Sequence, residues 1–264
     1  METDRRVLRR YELDDEAGRL WRPGVGDLVR LRTWDIFERL LPPSGRIADV
    51  GGGPGTHAAH LVDRGYEVVL IDPVQRHVDQ AVDATGGRAR CALGDARRLD
   101  LDDESFDAVL LMGPLYHLPD PQDRLMALRE AARILRPGGR LIAEVITRHA
   151  WVLDATAKGI IDDPVVRADF AVNIEDGLST DPDRLRDGGF WAYFHRVETI
   201  GDEVKAAGFV ETRLIGVEGH AWLLGNLAEL LEHPGPLLEV LRTIESEPSL
   251  LGMSAHVIAG ATKP

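Results

Sequence analysis

The residues most able to do chemistry surround a glycine-rich segment, Asp49-Val50-Gly51-Gly52-Gly53-Pro54-Gly55. Glycines allow positive φ and let the backbone approach a ligand with no Cβ in the way. Two cofactor classes use such a loop. Gly53, Gly55 and Ala58 fit the G-x-G-x-x-A form of the dinucleotide fingerprint, and Asp72 lies about where a ribose-binding acid belongs. A nicotinamide-dependent oxidoreductase is therefore one interpretation of the loop.

The second interpretation begins two residues before the glycines, at Asp49. The pattern D-x-G-x-G-x-G, formed by Asp49, Gly51, Gly53 and Gly55, resembles the first motif of class I methyltransferases that use S-adenosyl-L-methionine. This cofactor has no pyrophosphate but carries an ammonium and a sulfonium group, so a carboxylate at the strand end suits its cationic methionine moiety. Asp49 therefore favours a methyltransferase, with S-adenosyl-L-homocysteine as the product of the cofactor.

Further segments resemble the same family in the expected order. Asp72 stands where the family's acid takes both ribose hydroxyls, and Gly94-Asp95-Ala96 resembles the adenine site, with Asp95 accepting from the exocyclic amine. Ser105–Val109 and Arg136–Gly139 resemble the family's later signatures. Without the resemblance, Asp72 and Asp95 would be a helix cap and a turn cap. The resemblance covers Arg46 to Thr147 and implies these cofactor-binding residues: Asp49, Gly51, Gly53, Gly55, Asp72, Asp95, Ala96 and Met112.

The catalytic candidate is His117, just past the fourth predicted strand. Methyl transfer from a sulfonium is a direct displacement, so the enzyme mainly aligns nucleophile, methyl carbon and leaving sulfur in a dry pocket. A general base is needed only where the acceptor holds a proton at the working pH. An imidazole accepts a proton near neutral pH, which favours His117 as that base. The alternative is that His117 shapes the pocket without titrating, beside Tyr116 as a wall residue.

Aromatic residues concentrate in the segment 148–195, which breaks the alternation of strands and helices. They are Trp151, Phe170, Phe190, Trp191, Tyr193 and Phe194. Aromatic-lined clefts favour small organic ligands, so we expect a substrate cap here, although these residues also suit a small core of the cap's own. The predicted acceptor-binding residues are Tyr11, Tyr116, His149, Trp191, Tyr193 and His195.

The histidines that follow predicted strand ends raise the question of a metal site. His149, His195 and His220 lie near such ends, but the chain has no close H-x-x-x-H pair. We therefore predict no metal.

Apolar runs alternate with helical patterns behind these motifs and predict seven strands: Arg46–Val50, Glu67–Asp72, Ala89–Leu93, Phe106–Met112, Leu141–Thr147, Phe209–Gly216 and Ala255–Thr262. Near-continuous apolar runs of this length are typical of strands buried on both faces of a parallel sheet. We predict a doubly wound, mostly parallel α/β fold of the Rossmann-like methyltransferase type. Its parts are an N-terminal helical lid (1–44), a cofactor-binding core (45–147), an inserted cap (148–195) and the rest of the core (196–264).

Composition limits the partners. Forty-four acidic and 31 basic residues give a formal charge of −13 at pH 7, which argues against binding to a nucleic-acid backbone. No apolar run approaches the roughly 18 residues that span a bilayer, so we expect no membrane partner. The single Cys91 fits a reducing cytoplasm.

These features together predict a methyltransferase that acts on an N, O or C nucleophile of a small molecule. Gly113-Pro114-Leu115-Tyr116 matches only loosely the N-P-P-Y loop of enzymes that methylate amino groups in DNA and glutamine side chains. Two alternatives remain at this point. They are a nicotinamide-dependent oxidoreductase and a regulator that binds S-adenosylmethionine without catalysis.

Overall fold

The computed structural model of the 264-residue chain describes Leu8, Tyr11, Glu12 and the ranges 16–179 and 191–264. Phe190, one of the predicted cap aromatics, lies outside these residues. In the described part, seven strands form one sheet in the order β3-β2-β1-β4-β5-β7-β6. The strands are β1 (Arg46–Val50), β2 (Glu67–Asp72), β3 (Arg90–Leu93), β4 (Phe106–Leu111), β5 (Leu135–Ile146), β6 (Val210–Gly216) and β7 (His256–Thr262).

The direction of the strands confirms the predicted, mostly parallel sheet. β1 pairs in parallel with β2 and β4, β2 with β3, and β4 with β5. β7 is antiparallel to both of its neighbours, β5 and β6. The chain therefore winds outward from β1 to both sides, and the loops after β1 and β4 diverge at the point where ligands bind in such sheets.

Helices cover both faces of the sheet, as the alternating pattern predicts. In the described residues they are α1 (Glu16–Arg19), α2 (Val25–Leu40), α3 (Thr56–Asp63), α4 (Gln75–Ala84), α5 (Pro121–Ile134), α6 (Ala150–Ala157), α7 (Pro164–Asp176), α8 (Val197–Ala206), α9 (Leu227–Glu232) and α10 (Pro234–Ile244). The start of α5 is marked by Asp120, whose carboxylate accepts from the Gln122 backbone at 2.8 Å, followed by Pro121 in the first turn. Asp163 and Pro164 begin α7 in the same way.

Two apolar clusters form the core, one on each face. The first joins α5 and α8 to one set of strand side chains, among them Val50, Val109 and Ala143. The second joins α2, α3 and α4 to the alternate set, among them Ile47 and Leu110. Because consecutive strand residues point to opposite faces, runs that are apolar throughout supply both clusters at once.

β5 begins earlier than the sequence indicates. It starts at Leu135, directly after α5, whereas the glycines at 138 and 139 predict a start at Leu141. The end of the chain explains the difference: Gly138 donates to the Lys263 carbonyl at 2.8 Å, and Lys263 donates back to Gly139 at 2.9 Å. Pairing with a distant segment extends the strand through residues that would otherwise form a turn.

The segment after β5 folds back on the end of that strand. The Arg148 side chain donates to the carbonyls of Phe194 (2.8 Å), Ile174 (3.1 Å) and Glu175 (3.0 Å). The His195 backbone N–H donates to the Ile146 carbonyl at 2.8 Å. These bonds fix α6, α7 and residues 191–195 beside the carboxyl edge of the sheet. Among the described residues, no helix is long and apolar enough to cross a membrane.

Candidate active site

A pocket of about 460 Å³ opens at the carboxyl ends of the central strands. Its walls come from the loops that follow β1, β2, β3 and β4, from α1, from Tyr11 and from Trp191. The pocket therefore lies at the switch point beside β1, where the doubly wound fold predicts a ligand.

The glycine loop forms the floor of this pocket through backbone conformations that other residues rarely adopt. Gly51, Gly53 and Gly55 have φ of +71°, +55° and +86°. A Cβ on Gly51 would lie 2.5 Å from Pro114, and one on Gly55 would lie 2.9 Å from Ala81. Gly51 and Gly53 line the pocket, whereas Gly55 lies outside the lining and lets α3 pack closely against α4. The spacing of the three glycines thus serves both an open floor and close helix packing.

Asp72 connects the glycine loop to the start of α4. One carboxylate oxygen accepts from the Gly53 backbone at 2.9 Å, and the other accepts from the Val74 backbone at 2.9 Å and lies 3.1 Å from His77 Nδ1. Asp72 lines the pocket. It therefore caps the turn before α4, and the lone pairs that remain on its two oxygens are still available to ligand hydroxyls.

Asp49 lies beneath the loop and does not line the pocket. Its side chain is fully buried, and within the described part of the chain neither of its oxygens has a hydrogen-bond partner. Burial, followed by repulsion from Asp72, raises the pKa of Asp49 to about 7. A buried carboxylate without a partner is costly unless positive charge lies nearby. This orphaned acid below Gly52 fits a cationic ligand in the space above it.

Asp95, Ala96 and Met112 all line the pocket, at the ends of β3 and β4. Asp95 is held by Arg97, whose Nη2 lies 2.6 Å from Asp95 Oδ2. Arg97 also pairs with Asp123 at 2.7 Å. The sequence carries no signal of this role for Arg97, yet its side chain fixes both carboxylates at one end of the pocket. The contact joins residues 26 apart in sequence and has no local signal.

His117 lies between the N-terminal segment and the cap. Its Nδ1 lies 3.1 Å from the Trp191 carbonyl oxygen, and its Nε2 lies 2.6 Å from the Tyr11 hydroxyl. A carbonyl oxygen only accepts, so in the neutral imidazole Nδ1 carries the proton and Nε2 accepts from Tyr11. The Tyr11 ring also contacts the His77 ring edge to face, with centroids 5.1 Å apart. Three distant segments therefore meet at one imidazole.

The comparisons with known proteins identify a domain in the core of the sheet. Residues 48–143 match the family described as methyltransferase domain. The chain therefore contains a methyltransferase domain over these residues. The matched residues include the glycine loop and the segments that carry Asp72 and Asp95.

Three curated relatives are similar to parts of this chain. An uncharacterized methyltransferase of Mycobacterium tuberculosis is 42% identical over 108 residues, covering 40% of this chain and 42% of its own length. A demethylmenaquinone methyltransferase of Beutenbergia cavernae is 33% identical over 154 residues, covering 55% and 57%. A tRNA U34 carboxymethyltransferase of Chromohalobacter salexigens is 40% identical over 120 residues, covering 42% and 35%. The chain thus spans about half, or less, of the length of these relatives.

A solved structure extends the likeness in fold beyond the matched domain. The S-adenosylmethionine-dependent methyltransferase of Methanosarcina mazei superimposes with a TM-score of 0.59 at 22% identity, covering 86% of this chain and 96% of that one. The likeness in fold therefore extends well beyond residues 48–143.

The predicted acceptor-binding residues divide into two groups. Tyr11, Tyr116 and Trp191 line the pocket. His149, Tyr193 and His195 do not. His149 is exposed at the start of α6, the Tyr193 ring lies under the Arg124 guanidinium at 4.1 Å, and His195 is fully buried 3.5 Å from Glu203. Burial lowers the pKa of His195. His149 therefore lies at the surface, and Tyr193 and His195 lie in the junction between cap and core. Residues near a strand end can pack against neighbouring elements as well as face the pocket.

The cap aromatics follow the same division. Trp151 and Phe170 pack edge to face with centroids 5.8 Å apart, between α6 and α7. Phe194 joins a third apolar cluster with Tyr116, Ile146 and Trp222. Of the cap aromatics that the structure describes, Trp191 is the one that lines the pocket. Most described rings of the segment therefore lie in a small core, and a role of the segment as a substrate cap stays a prediction.

The pocket residues that sequence analysis did not assign to the site include Glu16, Arg19, His57 and His77. Arg19 Nε lies 2.5 Å from Glu16 Oε1 within the short α1. His57 Nδ1 accepts from the Trp34 indole at 3.2 Å, and burial, assisted by the charge of Arg19, lowers the pKa of His57 to about 3. An acid and a base three residues apart in a short helix look like a surface pair, so their sequence carries no signal of a pocket.

A buried charged cluster lies at the ends of β5 and β7, near the pocket. His256 Nδ1 contacts Glu218 Oε1, and the Ser254 hydroxyl donates to Glu218 Oε2 at 2.8 Å. Burial opposes protonation, but the carboxylates of Glu218 and Glu144 outweigh it and raise the pKa of His256 to about 9. Burial also raises the pKa of Glu144. His256 is therefore a fixed positive charge that neutralises Glu218 at neutral pH.

Proposed function

We propose that the protein transfers a methyl group from S-adenosylmethionine to an N, O or C nucleophile of a small molecule. The observation that carries this proposal is the layout of the 460 Å³ pocket. The strand-end carboxylates Asp72 and Asp95, the glycine loop, and the Tyr11 and His117 pair all line it. A binding site and a group able to take a proton therefore face the same space.

Residues of the glycine loop and the following strand ends would hold the cofactor. Asp72 offers two fixed carboxylate oxygens to the ribose, and Asp95, held by Arg97, offers an acceptor to the adenine amine. Asp49 contributes negative potential below the loop. When bound, the cofactor supplies an electrophilic methyl group on a sulfonium, which leaves as a neutral thioether. The chain's part is to hold, align and keep water out.

The Tyr11 and His117 pair gives the acceptor's proton a destination. An acceptor hydroxyl or amine beside Tyr11 passes its proton to the phenol oxygen as the phenol proton moves to His117 Nε2. The resulting imidazolium keeps its Nδ1 proton on the Trp191 carbonyl. We assign His117 as the general base through Tyr11, and segments 1–44 and 148–195 as the lid and cap that bring Tyr11 and Trp191 to it.

A small acceptor is favoured over a nucleic acid. The chain carries a formal charge of −13, and acidic side chains (Asp95, Asp120 and Asp123) line the pocket. A phosphate backbone approaching this rim would meet like charge. The free Cys91 supports a reducing, cytoplasmic location.

Titration and product analysis test the proposal. Calorimetry should detect binding of S-adenosylhomocysteine and no binding of NADH, because the buried Asp49 acid under the glycine loop favours an ammonium group and opposes a pyrophosphate. Incubation with methyl-labelled S-adenosylmethionine should label a compound in a small-metabolite fraction and leave total tRNA unlabelled.

Other results have distinct meanings. Tight binding of NADH alone would reject the methyltransferase activity. Label in the tRNA fraction would keep the activity and reject the small acceptor. Tight binding of S-adenosylhomocysteine with no labelled product in any fraction would favour a regulator that binds the cofactor without catalysis.

A further inference from the structure

Helix α1 brings two opposite charges into the pocket. Glu16 and Arg19 both line it, with Arg19 Nε 2.5 Å from Glu16 Oε1. Among the described residues, this contact uses Nε alone, and the terminal nitrogens Nη1 and Nη2 make no hydrogen bond. A guanidinium offers five N–H groups in a planar fork, so most of its donors remain available.

The exposed part of Arg19 faces the pocket. Its side chain is 39% exposed, yet protein groups from several elements act on its charge. Burial opposes protonation, but Glu16, Tyr116 and Glu144 raise the pKa of Arg19 above its ordinary value. Tyr116 follows β4 and Glu144 lies near the end of β5. Because Arg19 lines the pocket and these elements surround it, the exposed part of its side chain faces the cavity.

The position of Arg19 along the pocket indicates which part of a ligand it meets. Arg19 and His57 both line the pocket, and the charge of Arg19 adds to the effect of burial in lowering the pKa of His57. His57 lies in the first turn of α3, directly after the glycine loop. Asp72 and Asp95 lie at the ends of β2 and β3, on the other side of β1. If these two carboxylates hold the sugar and the base, the end beside the glycine loop and His57 is left for the amino-acid end of the donor.

The charges at this end match those of an α-amino acid. Free amino acids carry a carboxylate and an ammonium a few ångströms apart. Arg19 presents a fork that pairs well with a carboxylate. Glu16, with a side chain 15% exposed, presents a carboxylate beside it. The orphaned Asp49 under Gly52 adds negative potential from below.

We propose that Glu16 and Arg19 form the receptor for the zwitterionic amino-acid end of the methyl donor, with the carboxylate on Arg19 and the ammonium on the Glu16 side. This inference rests on the proposed function, because it uses the same pocket. It gives α1, which sequence analysis treated only as part of a lid, a direct role in binding.

The test compares two ligands that differ only in that end. S-adenosylhomocysteine carries the amino acid, and 5′-methylthioadenosine has the same nucleoside thioether without it. Calorimetry measures both on the wild-type chain, on Arg19→Met, on Glu16→Gln and on Arg22→Met, an exposed arginine outside the pocket lining. Because charged hydrogen bonds are at stake, Arg19→Met should weaken S-adenosylhomocysteine roughly 10- to 100-fold.

The difference between the two ligands separates a role in binding the amino-acid end from a role in folding. Arg19→Met should leave 5′-methylthioadenosine within about twofold of wild type, which also shows that the pocket is still folded. Glu16→Gln should give a smaller loss in the same direction, Arg19→Lys should recover part of the affinity, and Arg22→Met should change neither ligand.

Three results would overturn the inference. The first is an Arg19→Met chain that binds S-adenosylhomocysteine as the wild type does. The second is an equal loss for both ligands, which would indicate a structural role. The third is unchanged S-adenosylhomocysteine affinity with a raised KM for the methyl acceptor, which would assign Arg19 to an anionic acceptor. If the wild-type chain binds neither ligand, the proposed function fails instead, and the two failures are distinguishable.

Discussion

Two regions of the pocket are built in different ways. The strand-tip region consists of the glycine loop after β1, Asp72 at the end of β2 and Asp95 after β3, with Asp49 buried beneath the loop. The histidine junction consists of Tyr11, His117 and Trp191, whose contacts join residues 106 and 74 apart in sequence. In the first region, each residue is positioned by the strand directly before it. In the second, each is positioned by a partner from elsewhere, so the junction depends on how the N-terminal segment and the cap close.

The largest expected effect tests the histidine junction. His117→Ala should lower kcat by about 10²- to 10⁴-fold on an acceptor that holds a proton, because the base at the end of the Tyr11 path is lost. The dissociation constant of S-adenosylhomocysteine should stay within about twofold, since His117 contacts Tyr11 and Trp191 and makes none of the bonds of the strand-tip region. Steady-state kinetics and calorimetry measure the two quantities.

Two further variants make this prediction specific. Tyr11→Phe should lower kcat by less than His117→Ala, because a water molecule can replace the phenol hydroxyl. His149→Ala, an exposed histidine outside the pocket lining, should leave kcat unchanged. Wild-type turnover in His117→Ala would show that the imidazole only shapes the pocket.

The next effect tests the strand-tip region. Asp72→Ala should weaken S-adenosylhomocysteine by about 100-fold, because it removes the proposed ribose contacts and the acceptor of the Gly53 backbone N–H together. Asp72→Asn, which keeps one carbonyl oxygen, should lose less. Asp63→Ala, at the exposed end of α3, is the control. Calorimetry that finds equal affinity in Asp72→Ala and wild type would contradict the ribose role.

A smaller effect concerns the buried carboxyl group of Asp49 under the glycine loop. The pKa of Asp49 is raised from 3.8 to about 7, so the folded chain holds a proton that the unfolded chain releases. The contribution of Asp49 to the free energy of unfolding is therefore greatest below about pH 4 and is lost as pH rises through about 7. Asp49→Asn should raise the melting temperature at pH 8 by several degrees and weaken S-adenosylhomocysteine binding. A lower melting temperature in this variant would show that Asp49 has a stabilising partner.

The sequence was sufficient for the strand-tip region because its signals are local. An acid at the end of an apolar run and glycines at fixed spacing are each set by one strand and its turn. Asp72 and Asp95 therefore line the pocket where the pattern expects them. Local signals do not predict that Asp49 is shielded from the cavity. Its shielding depends on the loop, where Gly52 lies close to both Asp49 and Leu70.

The histidine junction was accessible from sequence only in part. His117 and Tyr116 follow a predicted strand, so their place at the pocket edge could be inferred. His149 and His195 follow or precede strands in the same way, yet they lie at the surface and beside Glu203. Proximity to a strand end fixes which edge a residue occupies, whereas its direction depends on distant partners. Glu16 and Arg19 had no local signal at all.

Asp49 is a buried acid with no hydrogen-bond partner among the residues that the structure describes, whereas His256 is a buried base that pairs with Glu218. The carboxylates of Glu218 and Glu144 raise the pKa of His256 from 6.5 to about 9 against the effect of burial. Its contribution to stability is complete below about pH 6.5 and is lost as pH rises through about 9. His256→Gln should therefore lower the melting temperature by a few degrees at pH 7 and have little effect at pH 10.

Both groups make stability fall with rising pH, but in separate windows and for opposite reasons. Asp49 acts between about pH 4 and 7 because it resists ionisation, and His256 acts between about pH 6.5 and 9 because its ion pair is lost. Saturating S-adenosylhomocysteine should flatten the first window, since an ammonium above Gly52 favours the Asp49 carboxylate, and should leave the second unchanged. Thermal melts from pH 4 to 10, with and without the ligand, on wild type, Asp49→Asn and His256→Gln separate the two. If the ligand flattened the second window as well, the Glu218 and His256 pair would itself be coupled to the pocket.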